Sequence, residues 1–225
     1  MTVVMITGAA GALGRAVAQR FAADRAQLVL LDRDAAVLAK LFPNAALNLA
    51  VDITDEASVH AAVDRAIAQC GRLDVLVHVA GGFEMGETVG AMTRASWQRM
   101  MDLNAWSFVA LAQRVVAQMQ RQRSGTIVAV SAAAAAQGQA LKGAYIASKS
   151  ALQRLVETLA LEVAGDGVRV LSVAPTTLDT PANRAAMPEA DPAPWVSTER
   201  AADAIAFLAS SAGGAVTGPH LRLGS

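Results

Sequence analysis

Short apolar runs alternate with longer amphipathic segments along the whole chain. The runs are apolar at consecutive positions, which is typical of strands that are covered on both faces of a sheet. Segments with helical spacing separate them, and this alternation predicts one α/β domain built on a doubly wound parallel sheet. The predicted strands cover residues 3–6, 28–31, 47–51, 75–79, 126–130, 168–173 and 221–223.

Capping residues and helix breakers set the boundaries of the intervening helices. Asp34 can cap a helix that stops before Pro43, and Asp55 begins another that Gly71 closes. No repeat, linker or domain boundary interrupts the pattern, so residues 1–225 are predicted to form a single domain. The remaining predicted helices run from the turn at Gly14 through Ala23, over 96–123 with Ser96 at the start, over 144–164, and over about 198–210.

Composition and charge narrow the functional classes. Hydrophobic residues make up 54% of the chain and charged residues 17%, which fits strands and helix faces that are extensively buried. Nineteen basic and nineteen acidic residues cancel without a basic block. Neither nucleic acid nor an anionic membrane is therefore expected as a partner.

The ends of the chain and its cysteine usage point to a compartment. The single cysteine, Cys70, excludes an internal disulfide and fits a reducing environment. A strand that begins near Thr2 leaves no room for a signal sequence, and no apolar run reaches membrane-spanning length. We expect a cytoplasmic protein and assign no metal site.

The first predicted strand leads into a glycine-rich turn. Gly8, Gly11 and Gly14 lie between this strand and the following helix. In that position, a tight turn lets backbone N–H groups and the helix N-terminus face a pyrophosphate. Their spacing differs from the G-x-G-x-x-G form, and such turns often serve only close packing, so both interpretations stand.

Asp32, at the end of the second predicted strand, favours the nucleotide interpretation. A carboxylate there can hydrogen-bond the adenosine ribose hydroxyls and repel a 2′-phosphate, which favours NAD over NADP. Arg33 weakens that preference, because its guanidinium could reach a phosphate. The alternative is a plain capping or surface role for Asp32.

Tyr145 and Lys149 are four residues apart on a predicted helix and therefore lie on the same face. Keeping a phenol ionised at pH 7 costs about 4 kcal/mol. A cation at ~4 Å recovers a similar amount in an effective dielectric near 20, before desolvation is counted. The pair can supply a proton-transfer group near neutral pH. The alternative is a solvent-facing lysine beside a packed tyrosine.

These motifs, in this order, resemble the short-chain dehydrogenase/reductase family over essentially the whole chain. The resemblance implies a Rossmann fold, a nicotinamide dinucleotide cofactor (NAD(H) favoured, NADP(H) not excluded), a small-molecule substrate, and homo-oligomers that are tetramers or dimers. The matching positions are the turn from Thr7 to Gly14, Asp32, Asp52, Ala80-Gly81, Asn104, Ser131, the Tyr145/Lys149 pair, Pro175 and Thr180.

The resemblance also implies roles for single residues. Tyr145 would be the acid/base, Lys149 would bind the nicotinamide ribose and lower the Tyr145 pKa, and Asn104 would hold a water in the proton relay. Asp52 would contact the adenine, and Thr180 would hold the nicotinamide carboxamide. The implied cofactor contacts are Gly8, Gly11, Ala12, Leu13, Gly14, Asp32, Arg33, Asp52, Ile53, Ala80, Gly81, Gly82, Tyr145, Lys149, Pro175, Leu178 and Thr180.

Several positions depart from the family pattern. Ala12 replaces the middle glycine of the turn, and His78-Val79 replaces Asn-Asn after the fourth strand. The family places a substrate-orienting serine thirteen residues before the tyrosine, where this chain has Ala132. Ser131, fourteen residues before, could take that role after a one-residue loop difference; otherwise Tyr145 and Lys149 work without a hydroxyl partner.

Three segments, at residues 11–14, 79–82 and 178–191, look like dihydropteridine reductase, a branch of the family that prefers NADH and reduces a quinonoid dihydropterin. Residues 176–197 are predicted to form a flap over the substrate side of the nicotinamide. The expected function is therefore hydride transfer between nicotinamide and a small carbonyl, imine or alcohol. A dinucleotide-binding sensor or scaffold without turnover is the alternative.

Overall fold

A computed structural model describes residues 1–216 and 218–224. Nine strands are described, and seven of them form one parallel sheet in the order β3-β2-β1-β4-β5-β6-β9. The other two, β7 and β8, pair with each other. The strands are β1 (Val3–Thr7), β2 (Gln27–Asp32), β3 (Leu47–Ala50), β4 (Val75–His78), β5 (Gly125–Val130), β6 (Val168–Pro175), β7 (Leu178–Asp179), β8 (Val196–Ser197) and β9 (His220–Leu223).

Helices connect the strands and cover both faces of the sheet. They are α1 (Ala12–Ala23), α2 (Ala35–Leu41), α3 (Glu56–Cys70), α4 (Arg94–Met101), α5 (Ser107–Gln122), α6 (Gly143–Glu162), α7 (Pro181–Ala186) and α8 (Thr198–Ala209). Strand order runs one way from β1 to β3 and the other way from β4 to β6. This is the doubly wound sheet that the sequence predicted, and its switch point lies between β1 and β4.

Two apolar layers hold the sheet between its helices. Alternate side chains of β1 belong to opposite layers, with Met5 in one and Ile6 in the other. The first layer packs against α3, α5 and α6, where Phe108 is fully buried, and the second packs against α1 and α8. Strands covered on both sides explain why the predicted runs were apolar at consecutive positions.

One predicted helix is wrong in its start and its regularity. The sequence pattern placed a continuous helix from Ser96 to about Arg123. The structure begins α4 at Arg94, because Thr93 is the cap and its hydroxyl accepts from the Ser96 N–H at 3.1 Å. A π-helical turn at Asp102–Trp106 then separates α4 from α5. Such turns occur frequently at functional sites.

The segment after β6 is irregular apart from α7 and the β7–β8 pair. Thr177 carbonyl oxygen accepts from the Val196 N–H at 2.8 Å, so both ends of the segment are joined at its base. Neither short strand was predicted from the sequence. Among the described residues, no helix is both long enough and apolar enough to cross a membrane.

We expect Gly167→Ala to destabilise the fold by about 1–3 kcal/mol. Gly167 has φ +74°, and an added Cβ would lie 2.3 Å from the Arg123 carbonyl oxygen, so the substitution is strained and also clashes. Gly165→Ala is the matched control, since no atom of residues 1–216 and 218–224 outside its own surroundings lies within 4 Å of its added Cβ. Urea denaturation of both variants measures the difference, and equal stabilities would contradict the prediction.

Candidate active site

A cleft of about 1230 Å³ opens at the carboxyl ends of the strands. Doubly wound sheets bind their ligands at this edge, beside the switch point. Of the cofactor residues predicted from the sequence, those that line the cleft are Gly8, Gly11, Ala12, Leu13, Gly14, Asp32, Arg33, Asp52, Ile53, Ala80, Gly81, Leu178 and Thr180. Gly82, Tyr145, Lys149 and Pro175 are not among its lining residues.

The glycine-rich turn packs tightly and also leaves the backbone N–H groups at the start of α1 open to the cleft. An added Cβ at Gly14 would lie 2.0 Å from the Gly8 carbonyl oxygen, so Gly14 is required for packing inside the turn. Gly8 itself has φ +67°, a conformation that favours glycine. Gly11 is the N-cap of α1 and supplies no capping side chain. The first N–H groups of α1 therefore face the cleft, where an anion can accept from them.

Asp32 is fixed against the turn by two backbone hydrogen bonds. Its carboxylate accepts from the Ala10 N–H at 2.9 Å and from the Arg33 N–H at 2.8 Å. The capping role belongs to Asp34, whose carboxylate accepts from the N–H groups of Ala36 and Val37 at the start of α2. Asp32 thus has its side chain in the cleft and does not cap the helix.

Asp52 adds a second fixed carboxylate to this end of the cleft. One of its oxygens accepts from the Thr54 hydroxyl at 2.7 Å and from the Thr54 N–H at 2.9 Å. These hydrogen bonds lower the pKa of Asp52, with a smaller contribution from the charge of Arg33. Two negative charges thus lie where the cleft meets β2 and the end of β3.

Lys149 is buried on α6 and points at the sheet. Its side chain is 5% exposed, and its ammonium donates to the Val130 carbonyl oxygen at 2.9 Å. Burial lowers the pKa of Lys149 to about 8, because a low-dielectric surrounding disfavours the charged form. Gly81 lies directly opposite, where an added Cβ would be 3.0 Å from the Lys149 Nζ.

The surroundings of Tyr145 are set by its packing on α6. Tyr145 is partly buried and packs edge-on against Phe83, with 4.9 Å between the ring centroids. Burial raises the pKa of Tyr145, because a low-dielectric surrounding disfavours the phenolate. The phenol is therefore protonated at neutral pH. The lowering of this pKa by Lys149, which the family resemblance implies, stays a prediction.

Asn104 connects the end of β4 to α6. Its side-chain oxygen accepts from the Gly82 N–H at 2.9 Å, and its amide donates to the Gly82 carbonyl at 3.0 Å and to the Ser148 hydroxyl at 3.0 Å. Ser148 in turn donates to the Tyr145 carbonyl at 2.8 Å. The π-helical turn that carries Asn104 thus holds the glycine loop and the tyrosine helix together.

Ser131 and Ala132 follow β5 and are both buried. Ser131 is 3% exposed, and its hydroxyl has no hydrogen-bond partner within the described part of the chain. Its backbone N–H is occupied, because it donates to the Val173 carbonyl at 2.8 Å. The Ser131 hydroxyl thus retains an unused donor and acceptor.

Three further predicted contacts, Pro175, Leu178 and Thr180, lie at the end of β6 or just after it. The Thr180 hydroxyl caps α7 by accepting from the Asn183 N–H at 3.1 Å, and the Asn183 amide donates to the Leu178 carbonyl at 2.8 Å. Pro175 is buried at the end of β6. Thr180 and Leu178 are therefore held in the cleft wall by local hydrogen bonds.

A family model described as short chain dehydrogenase matches residues 2–191. The chain belongs to the short-chain dehydrogenase/reductase family.

Named relatives span most of this short-chain dehydrogenase/reductase. It is 35% identical to cis-4-hydroxycyclohexanecarboxylate dehydrogenase of Sinomonas cyclohexanicum, over 98% of this chain and 94% of the relative. It is also 35% identical to 2,3-dihydro-2,3-dihydroxybenzoate dehydrogenase of Escherichia coli K12, over 80% and 71%. The crystal structure of a 3-ketoacyl-(acyl-carrier-protein) reductase from Brucella melitensis complexed with NADH superimposes with TM-score 0.89, at 26% identity, covering 99% and 96%.

Several polar residues of the site were not identified from the sequence. Gln98, Arg99 and Asp102 line the cleft from α4 and the π-helical turn, and Arg15 lines it from α1. In the sequence, a charged helix residue that lines a cleft has the same spacing as one that faces solvent. The two cases therefore cannot be told apart from the pattern alone. Only the folded arrangement of α4 beside β4 brings these groups to the site.

His78, which replaces the family asparagine, is buried and neutral. It is 1% exposed, and burial lowers its pKa to about 3, with a smaller contribution from the charge of Lys149. Its Nδ1 lies 2.9 Å from the Thr7 hydroxyl, and its Nε2 lies 3.2 Å from the Ser107 hydroxyl. The imidazole thus joins β1, β4 and α5 beneath the cleft.

One tautomer of His78 satisfies every hydrogen bond in this group. The Ser107 hydroxyl donates to the Leu103 carbonyl at 2.8 Å, so it accepts from His78 and the ring proton is on Nε2. Nδ1 is then an acceptor for the Thr7 hydroxyl, which also accepts from the Ala80 N–H at 3.1 Å. The opposite tautomer would leave the Thr7 hydroxyl proton without an acceptor.

We expect His78→Gln to reduce the dependence of stability on pH. The folded pKa of His78 is depressed, so its neutral form stabilises the protein above pH ~6.5, and that stabilisation is lost as pH falls toward 3, to a limit of about 5 kcal/mol. Wild type should therefore be more stable than His78→Gln at pH 7.5, with the gap narrowing by pH 5 in urea titrations. A gap that stays constant with pH would contradict this.

Proposed function

We propose that this chain is an NAD(H)-preferring oxidoreductase that interconverts a secondary alcohol and its ketone, with Tyr145 as the acid/base. The observation that supports it most is the connected group of Gly82, Asn104, Ser148 and Tyr145 beside the buried ammonium of Lys149. Polar groups that are buried and mutually hydrogen-bonded hold a fixed geometry. Fixed geometry is what positioned proton transfer requires.

The cleft residues fit a nicotinamide dinucleotide, whose nicotinamide accepts or returns a hydride when bound. The uncapped start of α1 would hold the pyrophosphate, Asp32 the adenosine ribose, and Asp52 the adenine side. Thr180 would hold the carboxamide, and Lys149 the nicotinamide ribose. The carboxylates of Asp32 and Asp52 at one end of the cleft disfavour a further phosphate there, which supports NAD over NADP.

Tyr145 would donate its proton to the ketone oxygen as the carbon gains a hydride, and would recover it from the alcohol in reverse. Its raised pKa keeps the phenol protonated at neutral pH, which suits the role of acid. Ser131 would supply a second hydroxyl for the substrate oxygen, since its Oγ is unpaired within the described residues. Asn104 would maintain the geometry through Gly82 and Ser148.

Ring alcohols that carry a carboxylate are the substrates we favour. The names of two relatives, cis-4-hydroxycyclohexanecarboxylate dehydrogenase and 2,3-dihydro-2,3-dihydroxybenzoate dehydrogenase, both describe hydroxylated six-membered rings with an acid group. We prefer this class to the quinonoid dihydropterin that the segments at 11–14, 79–82 and 178–191 suggested. A sensor without turnover is disfavoured, because Asn104 is connected through Ser148 to Tyr145, with the buried Lys149 one turn away on the same helix.

We also propose a homo-oligomer that pairs α4–α5 and α6 across subunits. Trp97 on α4 and Trp106 in the π-helical turn are partly exposed, and Leu161 on α6 is 81% exposed. Large apolar side chains on these helices favour burial against a second copy. Size-exclusion chromatography with light scattering tests the state directly.

Tyr145→Phe should retain NADH binding and lose turnover by about 10²-fold or more, because the substitution removes only the proton-transfer group. NADH binding by fluorescence titration is the control, and initial rates with hydroxycyclohexanecarboxylates and the matching ketones are the readout. Undiminished turnover would remove Tyr145 from the mechanism.

Asp32→Ser should reduce the preference for NAD over NADP by about tenfold or more, since it removes the charge that repels a 2′-phosphate. Asp34→Ser is the matched control. It removes an equal charge two residues away, and serine is an equally good cap for α2. Dissociation constants for NADH and NADPH measure the preference. An equal change in both variants would show a general charge effect instead.

A further inference from the structure

A second pocket, of about 500 Å³, lies beside Tyr145. It is formed by the loop after β4 and the loop before α6. We call it the Phe83 pocket, because Phe83 lines it and packs edge-on against the Tyr145 ring, with 4.9 Å between the two ring centroids. Met92 and Leu141 give it apolar walls, and Gly143 and Ala144, which directly precede Tyr145, form its floor.

The two loops are joined by backbone pairing, which fixes the shape of the pocket. The Gly86 N–H donates to the Leu141 carbonyl at 2.8 Å, and Glu87 and Lys142 form an isolated parallel bridge. Leu141 has φ +64°, a left-handed conformation that is strained for a non-glycine residue. Residues held in that conformation cluster at ligand sites, because the surrounding contacts maintain them.

Both carboxylates of the pocket already have partners on α4. Glu84 forms two hydrogen bonds with the Arg99 guanidinium, at 2.5 and 2.7 Å. Glu87 accepts from the Ser96 hydroxyl at 2.5 Å, and its charge also raises the pKa of Arg99, after the larger effect of Glu84. The acidic side of the pocket therefore faces α4.

Lys142, which lies directly before α6, has only neutral partners in the described part of the chain. Its ammonium donates to the Gln139 side-chain oxygen at 2.9 Å and lies 5.9 Å from the centre of the Phe83 ring. It takes part in no ion pair among residues 1–216 and 218–224. The Phe83 pocket thus combines an apolar ring surface with one cation that no carboxylate neutralises.

We propose that Lys142 determines specificity by binding the carboxylate of a six-membered-ring substrate whose ring packs against Phe83 in this pocket. The proposal rests on the proposed function, since it places the reacting ring hydroxyl or ketone at Tyr145. Phe83 lines the pocket and packs against the Tyr145 ring, so a substrate ring stacked on Phe83 would lie next to the phenol. An ammonium bonded to a carboxylate gives a charge-assisted hydrogen bond, which discriminates the acid from its neutral ester.

The test compares free acids with methyl esters in wild type, Lys142→Gln and Lys142→Arg. Substrates are the cis and trans isomers of 3- and 4-hydroxycyclohexanecarboxylate with NAD⁺. Wild type should prefer acid over ester by about tenfold in kcat/KM, and Lys142→Gln should abolish that preference through KM. Lys142→Arg should restore most of it. Lys40→Gln, which removes an exposed ammonium on α2, is the matched control and should change nothing.

Binding of cyclohexanecarboxylate, measured by calorimetry with NADH present, separates this proposal from the proposed function. That ligand has no hydroxyl to oxidise, so a Kd weakened about tenfold in Lys142→Gln supports the proposal even if no alcohol is turned over. Failure to turn over any ring alcohol or ketone counts against the proposed function alone. Equal binding by wild type and Lys142→Gln, or equal loss of acid and ester activity, overturns the role of Lys142.

Discussion

The buried ammonium of Lys149 is the interaction on which the site depends. A charged group in a protein interior is costly unless it is hydrogen-bonded, and here the Val130 carbonyl at the end of β5 supplies the bond. This bond fixes the distance between α6 and the sheet. It also requires the chain after β4 to pass without a side chain, which is the reason for Gly81. The Lys149 ammonium thus determines how β5, α6 and the loop after β4 are placed relative to one another.

The same constraint determines how α4 and α5 meet the site. Asn104 must present an amide to Gly82 and to Ser148 at the same time, and the extra residue of a π-helical turn orients it to do so. His78 supports this arrangement from below, because its bond to Ser107 lies one residue after that turn. Two groups of hydrogen bonds thus meet at this turn: one joins β1, β4 and α5 through His78, and the other joins the loop after β4 to α6 through Asn104.

The sequence predicts those parts that local patterns specify. Consecutive apolar residues in Val75–His78 identified a buried strand, and the glycines after β1 identified the turn, because both follow from short-range chemistry. The π-helical turn, the β7–β8 pair and the raised pKa of Tyr145 could not be obtained in this way. Each depends on contacts between residues far apart in the chain. Spacing placed Tyr145 and Lys149 on one face, but only the packed structure shows how far the phenol is buried.

The partly buried phenol of Tyr145 can be followed by ultraviolet absorbance. It is the sole tyrosine of the chain. The chain also has three tryptophans, but an indole does not ionise in the pH range of an alkaline titration. Ultraviolet difference absorbance of phenolate therefore reports one group in the native, unsubstituted protein. The protonation of a single side chain can be followed optically through an alkaline titration, and any ligand that changes its surroundings becomes visible as a displaced midpoint.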